Sequence, residues 1–555
     1  MVQISGGQAV VQTLISLGAR AGFGVPGESY LAVLDAFCDA PDFRFIGCRN
    51  EGGAAFMAEA WAKLTGEVGL CFVTRGPGAT NASIGVHTAM QASTPMLLFV
   101  GQVGLEHQGR EAFQELDYRQ VFGPIAKYAT EITDLSRTPE IIRRAWSLAI
   151  SGRPGPVVIA LPEDILTQSA DIEIPTTPIF APKSAAVAAD LEQLTEKLQT
   201  AQRPVILAGG GRWNSQDRGA LRACANKLNI PVVTGFRYHD LFDNTDPLFV
   251  GEAGVGMTAN TKRILTEADL VLAVNLRFGE MTTHAFTLFG TDRGDQWIAQ
   301  SHRSGDEFHK FVAPDLSMIC DPAPLLNRLA ARLEQAGMSH DPAWAKSARA
   351  GFISAQTAKA QPSPVDMGVV TSTVQAMLPE DAIVTNGAGN FAIWPNKFLQ
   401  FSQQQRLLAP QSGAMGYGLP AAIAAKVAYP ERCALCFAGD GDFQMNCQEL
   451  GAALQADARP IVLIVNNGSY GTIRMHQERH FPRRVSGTEM INPDFAALAR
   501  AYGFHAERIE RTEEFADAFA RALASPTGAV LDLNVASEAI TPGMTIADLQ
   551  ALSES

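Results

Sequence analysis

A chain of 555 residues with a net charge of -13, 46% hydrophobic residues, 18% charged residues and 49 glycines is too long for one core; it reads as a soluble, loop-rich globular enzyme of roughly three or four domains. The acidic balance gives no footprint for nucleic acid or an anionic membrane, and no run of about 18 apolar residues marks a spanning segment. The amino terminus, "MVQISGGQAVVQTLISLGARAGFG", lacks the pattern of a signal peptide, and the eight scattered cysteines suit reduced thiols, so a cytoplasmic location and small-molecule partners are expected.

Along the chain, short apolar runs end in glycine-rich turns and give way to helical patterns. "VGLCFVTRGPGATN", "MLLFVGQ" and "PVVIALPED" come first, then "RPVILAGGG" and "LVLAVNLRF", then "AIVTNGAGN", "CALCFAGDG", "PIVLIVNNG" and "AVLDLNV". Runs of that length alternating with helices predict parallel sheets covered on both faces, the doubly wound α/β class. Two stretches break the rhythm and read as linkers: "DIEIPTTPIFAPKSAA" (171–186), and the region from about Gly337 through "QPSPVDM". The expected domains are therefore residues 1–170, 187–336 and 362–540. Cys433 and Cys436 form a C-x-x-C, but inside a predicted strand they point to opposite faces and read as core.

The most informative turn is "CFAGDGDFQMNCQEL" (436–450), where a buried strand ends in Asp440 and Asp442. Buried carboxylates need a cation or hydrogen-bond donors. The "GDG" of 439–441 is separated by 24 residues from Asn466-Asn467, which ends the next strand. A right-handed crossover returns the asparagines beside Asp440 at one sheet edge, where carboxylate and carbonyl oxygens suit a hard cation such as Mg²⁺ that also holds phosphates. Counted from Asp440, the sixth position is Met445 rather than glycine, which excludes an EF-hand loop. "GAGNFA" (387–392) matches a dinucleotide fingerprint, but no Asp or Glu lies between Asn390 and Pro430 to take a ribose hydroxyl. A nicotinamide oxidoreductase, the rival enzyme class, loses its best support.

GDG followed some two dozen residues later by NN resembles the hallmark of thiamine diphosphate (ThDP)-dependent enzymes. "FGVPGES" (23–29), "GPGATN" (76–81), "EAFQELD" (111–117), "GAMGYGLPAA" (413–422) and "NNGSYGTIRMHQ" (466–477) extend the resemblance to the acetolactate synthase-like and benzoylformate decarboxylase-like branch. It implies a pyrimidine-binding, a central and a diphosphate-binding domain in that order. It also implies that Asp440, Asn467 and the carbonyl of Ser469 hold Mg²⁺, and that Gly441, Asp442, Gly389, Asn390 and Gly471 face the diphosphate. Gly413 and Met415 would contact the pyrimidine ring, with Pro26 and Asn81 also at the cofactor. The Asp442 carboxylate, awkward beside a diphosphate, is expected to turn away and cap its own helix.

The resemblance assigns Glu51, in "CRNEGGAAFMAEAW", to activation of the cofactor through its aminopyrimidine ring, and Gln114 to developing charge at the reacting carbonyl. Read alone, Glu51 is an acid in a first helical turn after an Asn cap, and Gln114 a loop glutamine. The family builds its site between chains, which implies a homodimer or homotetramer. Departures bear on substrate. "NLRFGEMTTH" (275–284) places Met281 where acetolactate synthases carry the arginine that grips an acceptor carboxylate, and His476 replaces a tryptophan. His284 and "RFG" look more like benzaldehyde lyase, so His284 and His476 are candidate proton-transfer groups or polar wall residues.

The expected activity is decarboxylation of a pyruvate-like 2-oxo acid with carboligation of the acyl carbanion to an aldehyde or ketone, or the reverse cleavage of a 2-hydroxy ketone. A catalytically silent ThDP-fold protein is the remaining class. Acetolactate formation is expected to be weak unless another basic residue, such as Arg474, takes the carboxylate. "WIAQSHRSGDEF" (297–308) has Ser301 and Arg303 where flavin-containing relatives carry acids, so no FAD is expected, and any nucleotide phosphates would fall on His302 or Arg303.

Overall fold

The computed structural model describes residues 2–554, which form three six-stranded parallel sheets flanked by helices and one small antiparallel pair, Val2–Ser5 with Ser169–Ile172. The doubly wound α/β expectation holds for all three. The first sheet runs edge to edge through Arg44–Gly47, Ala21–Gly24, Gly69–Val73, Met96–Gln102, Pro156–Pro162 and Tyr128–Glu131. The third runs through Arg406–Leu408, Ile383–Asn386, Ala434–Gly439, Ile461–Asn466, Ala529–Asn534 and His505–Ile509. Numbered by sequence within each sheet, both have the order 2-1-3-4-6-5. The central sheet, Phe249–Ala253, Val232–Gly235, Pro204–Ala208, Leu270–Val274, Trp297–His302 and Leu316–Ile319, has the order 3-2-1-4-5-6, that of dinucleotide-binding folds.

The strands form because they are continuous β-branched and aliphatic runs that can be buried on both faces; Gly69–Val73, Pro204–Ala208 and Ala434–Gly439 are buried at every position. The helix Glu51–Thr65 is buried on almost all sides because it lies between two sheets. One face packs on Pro77–Ala92 and the other on Gly418–Ala428 of the third unit, so a single apolar cluster joins Phe56, Met57 and Trp61 to Tyr417, Ala421 and Leu450. Glu59, fully buried, accepts from Thr94 and Tyr417 and lies 3.4 Å from Lys63.

The stretch from Gly337, read as a linker, contains the helix Pro342–Ser354. Its buried Ala345, Ala348 and Phe352 pack on the central unit, a periodicity masked by the flanking proline and polar residues. Cys433 and Cys436 are free thiols; burial pushes Cys433 up to about 11 and Cys436 further in the same direction. No helix among the described residues is long and apolar enough to cross a membrane.

Candidate active site

At the carboxyl edge of the third sheet, Asp440 opens a short helix, Asp440–Gln444, directly after its strand. The carboxylate is 3% exposed. Its Oδ1 accepts from Gly441 N (2.9 Å), and its Oδ2 from Gly468 N (2.8 Å) and Asn492 Nδ2 (2.7 Å). Burial pushes the carboxyl above its usual range against those donors, all of them neutral. Asn467 and Ser469 line the same cavity of about 250 Å³, as do Gly389, Met415 and Gly471. The two asparagines divide their work. Asn466 is a brace, donating to Asp532 Oδ1 (2.9 Å) and accepting from Asn492 (2.9 Å), while Asn467 is on the cavity wall.

The other walls come from two turns. Asn390, at the end of "GAGN", donates its amide to Thr472 Oγ1 (2.9 Å) and accepts from the same hydroxyl (3.0 Å), which ties the turn to the helix Gly471–His480. Gly441 has no room for a side chain, because a Cβ there would lie 2.6 Å from the Tyr470 ring. Asp442 corrects an expectation. Its carboxylate caps no helix of its own; it accepts from Gly416 N (2.8 Å) and Ala388 N (3.2 Å) and so clamps the turn carrying Met415 to the turn carrying Gly389. The cause is steric: Gly387 leaves it the space, since a Cβ there would fall 1.9 Å from Asp442 Oδ1. Burial pushes this carboxyl up to about 7.

Glu51, Asn81, Gln114 and Pro26 gather at the equivalent edge of the first sheet. Asn81 Nδ2 donates to Glu51 Oε2 (2.9 Å), and Asn50 caps the helix by accepting from Gly52 N (2.8 Å). Gln114 takes a positive φ of 66° with its backbone against Gly76. None of these residues lines the cavity around Asp440, whose walls in one chain come from residues 388–540. What links the two edges within the chain is Glu449, fully buried, which accepts from Arg49 N and from Asn50 N (2.8 Å) at the head of the Glu51 helix. Burial pushes Glu449 up to about 7.

Family models for the thiamine pyrophosphate enzymes match at three places: the N-terminal TPP binding domain over residues 4–121, the central domain over 191–329 and the C-terminal TPP binding domain over 387–533. The acetolactate synthase large subunit of Parasynechococcus marenigrum is 33% identical over 553 residues, covering 96% of this chain and 88% of that protein. That of Lactococcus lactis is 32% identical over 519 residues (92% and 89%), and the isozyme 3 large subunit of Escherichia coli 30% over 536 residues (94% and 93%). The chain belongs to the acetolactate synthase-like thiamine pyrophosphate enzymes. It is a ThDP-dependent carboligase.

The donor set at Asp440 fits the metal that ThDP enzymes use to hold the diphosphate. One buried carboxylate without a cationic partner, with an amide and a backbone carbonyl beside it, supplies oxygen alone, as a hard divalent cation requires. Among the described residues no group of three or more His, Cys, Asp or Glu is gathered to hold a metal ion.

In this carboligase the central edge is built differently. Gly210 and Gly211 of "AGGGRW" pack on protein: Cβ atoms there would lie 1.9 Å from Asn275 O and 2.4 Å from Ser93 O. Arg303 is committed to Asp321 (2.7 Å), Asp217 (3.4 Å) and Gly211 O (3.3 Å), and His302 is buried with Nδ1 accepting from Ser304 N (3.0 Å). The expectation that these two offer themselves to nucleotide phosphates fails, because internal partners occupy them. His284 and His476 are exposed and line neither the Asp440 cavity nor the cavities beside it; His284 lies on a turn of positive-φ residues, and His476 stacks near His480. Met281 does line an adjoining cavity. Arg474 lies 3.7 Å from Glu478 and lines none of them. Sequence reasoning missed Asn492, Thr472 and Glu449. Thr472 follows the NN motif by five positions and was within reach; Asn492 sits in an irregular segment with no pattern of its own.

Proposed function

We propose that this carboligase is a ThDP- and Mg²⁺-dependent decarboxylase of a pyruvate-like 2-oxo acid that joins the acyl unit to a second carbonyl, acting in the cytoplasm as a homodimer or homotetramer. The observation that carries the reading is the separation of the two half-sites. Asp440, Asn467 and Ser469 stand in a cavity walled by the third unit, and Glu51 with Asn81 stands at another edge outside it. Each half lacks what the other has, so a second copy supplying the Glu51 edge completes the site.

In that arrangement Asp440, Asn467 and Ser469 would hold Mg²⁺, which would supply positive charge for a diphosphate. The amide of Asp442 sits in a first helical turn, where N–H groups lack intrahelical acceptors, while that of Gly441 donates to Asp440 Oδ1. Bound ThDP supplies the nucleophilic carbon and the electron sink of the reaction. Met415, fixed through Gly416 by Asp442, would support the cofactor's ring, and Glu51, whose carboxyl Asn81 orients, would be the group that holds a proton toward it. Gln114, beside Gly76, offers an amide donor to developing oxygen charge. The glycine turn of the central unit packs closely on the Asn275 and Ser93 carbonyls, and what favours a protein without resident flavin is Ser301 and Arg303 in place of acids.

Cleavage and ligation of 2-hydroxy ketones, a benzaldehyde lyase-like activity, is the second reading, favoured by Met281 on the wall beside the cavity. Loading the protein with ThDP and Mg²⁺ and offering a panel of 2-oxo acids and 2-hydroxy ketones decides between them. CO₂ release with ligated product supports the first; aldehyde release from hydroxy ketones, without decarboxylation of any 2-oxo acid, replaces it with the second.

A further inference from the structure

Arg237 is a buried cation left without an anionic partner. It sits on the turn "GFRYHD" after the strand Val232–Gly235, takes a φ of 61° and is 7% exposed. Bulky residues occupy the left-handed region only where the surroundings impose it, often at ligand sites. Its Nη1 donates to Pro410 O, its Nε is buried with no partner, and the guanidinium lies 4.9 Å from the centre of the Phe236 ring. The neighbouring acid, Glu252, is turned to other work: one oxygen accepts from the Arg237 backbone N (2.6 Å) and the other lies 3.2 Å from His239 Nε2. Burial pulls Arg237 down to about 10 against the Glu252 and Asp442 carboxylates, which act in the other direction without making an ion-pair contact.

The side chain lines a cavity of about 400 Å³ together with Met281, Thr282, Gln411 and Gly413, and Gly413 is also on the wall of the Asp440 cavity. The two spaces therefore adjoin. Arg277, on the same wall, is committed to Glu307 (3.2 Å) and Gln91 O (2.7 Å). Arg237 thus brings to a cavity beside the cofactor site a guanidinium with one carbonyl acceptor and an unpartnered Nε, and the apolar Met281 lines the same cavity. A planar carboxylate on a short carbon chain matches that combination, because two oxygens meet the guanidinium fork while the chain meets Met281.

We infer that Arg237 holds the carboxylate of a small 2-oxo acid substrate, taking from the central unit the role that Met281 does not fill. The inference rests on the carboligase reading above and names the recognition element of that site.

The test is a ratio of inhibition constants measured on the ThDP- and Mg²⁺-loaded enzyme with pyruvate as substrate, lactate against lactamide, for the parent and for Arg237→Gln. Losing a charge-assisted contact is worth about 10- to 100-fold. The variant is expected to raise KM for pyruvate and the inhibition constant of lactate by that factor, with lactamide inhibition and ThDP affinity each within about two-fold. A purely structural role would move both inhibitors together and leave their ratio unchanged, which overturns the inference. Should Arg237→Gln not fold, the parent carries the test alone: lactate is expected to raise the holoenzyme's melting temperature at concentrations at least about ten-fold below those needed for lactamide. Equal or undetectable effects overturn the inference. If no 2-oxo acid is turned over at all, the functional reading falls, while lactate against lactamide still decides whether Arg237 binds a carboxylate.

Discussion

The central and third sheets present the same kind of edge, strand ends meeting glycine turns and helix starts, and treat it in opposite ways. At the central edge acids and bases are matched. Glu307, 5% exposed, is met by Arg153 (3.0 Å), Arg277 (3.2 Å) and Lys310 (2.8 Å), and Arg303 joins Asp217 to Asp321. Burial pushes the Glu307 carboxyl up, and the three cations pull harder, holding it below its usual range. At the third edge Asp440 is as deeply buried and meets neutral donors alone, so burial wins and its carboxyl rises. Two buried acids thus shift in opposite directions. The difference separates a charge neutralised by cations of its own chain from one met by neutral donors alone.

The largest expected effect falls on the closed edge. Glu307→Ala leaves Arg153 and Arg277 without their shared carboxylate; breaking a buried pair costs about 3 to 5 kcal/mol, and the lower end applies because Arg277 and Lys310 reach solvent. Chemical denaturation should show that loss with ThDP affinity per folded molecule unchanged; a stable variant with weakened ThDP binding would merge the two edges into one functional unit. Asp440→Ala should do the reverse. Removing the charged ligand is expected to weaken Mg²⁺-dependent ThDP retention by about 10²-fold or more while costing the cofactor-free protein less stability than Glu307→Ala does, since the loss of a buried charge offsets part of the cost of three donors left without an acceptor. Calorimetric titration with and without Mg²⁺ checks it, and equal retention in parent and variant would move the metal elsewhere.

Glu51 sharpens the comparison from the first sheet, which shares the strand order of the third. Glu51→Gln keeps the size of the side chain and its contact with Asn81 while removing a proton-transfer group, so exchange of the cofactor's C2 proton should slow by roughly 10²-fold or more, with ThDP still bound. Unchanged exchange in fully loaded enzyme would take Glu51 out of the mechanism.

The open edge was legible in the sequence and the closed one was not, for a physical reason. Metal and diphosphate chemistry demands particular residue types at the ends of adjacent strands, and a crossover fixes their spacing, so "GDG" and "NN" announce themselves. Ion pairs make no such demand. Arg153 and Glu307 are 154 positions apart, and the backbone amide of Arg49 meets the Glu449 carboxylate across 400, partnerships that only packing creates. Asp442 shows the limit even inside a motif: its residue type was plain, and the two amides it clamps were visible only once three turns met. Arg237 was invisible for the same reason, since an arginine in a turn reads as surface until its burial is known.

The smallest effect expected is a slope. His302 ends a central strand, 3% exposed, and burial pulls its imidazole down to about 4. In the unfolded chain the same ring titrates near 6.5. Between those values the unfolded state binds a proton that the folded state refuses, so the His302 contribution is intact above about pH 6.5 and is lost progressively as pH falls toward 4. From pH 7 to pH 5 the loss is on the order of 2 kcal/mol. His302→Gln, which does not titrate, removes that part of the acid slope whatever constant offset the substitution adds. Melting temperatures of parent and variant across pH 5 to 7 should therefore converge as the pH falls. Parallel curves would mean that the ring is charged in the fold, paired with Glu307 beside it, and that the central edge holds one more ion pair than its geometry displays.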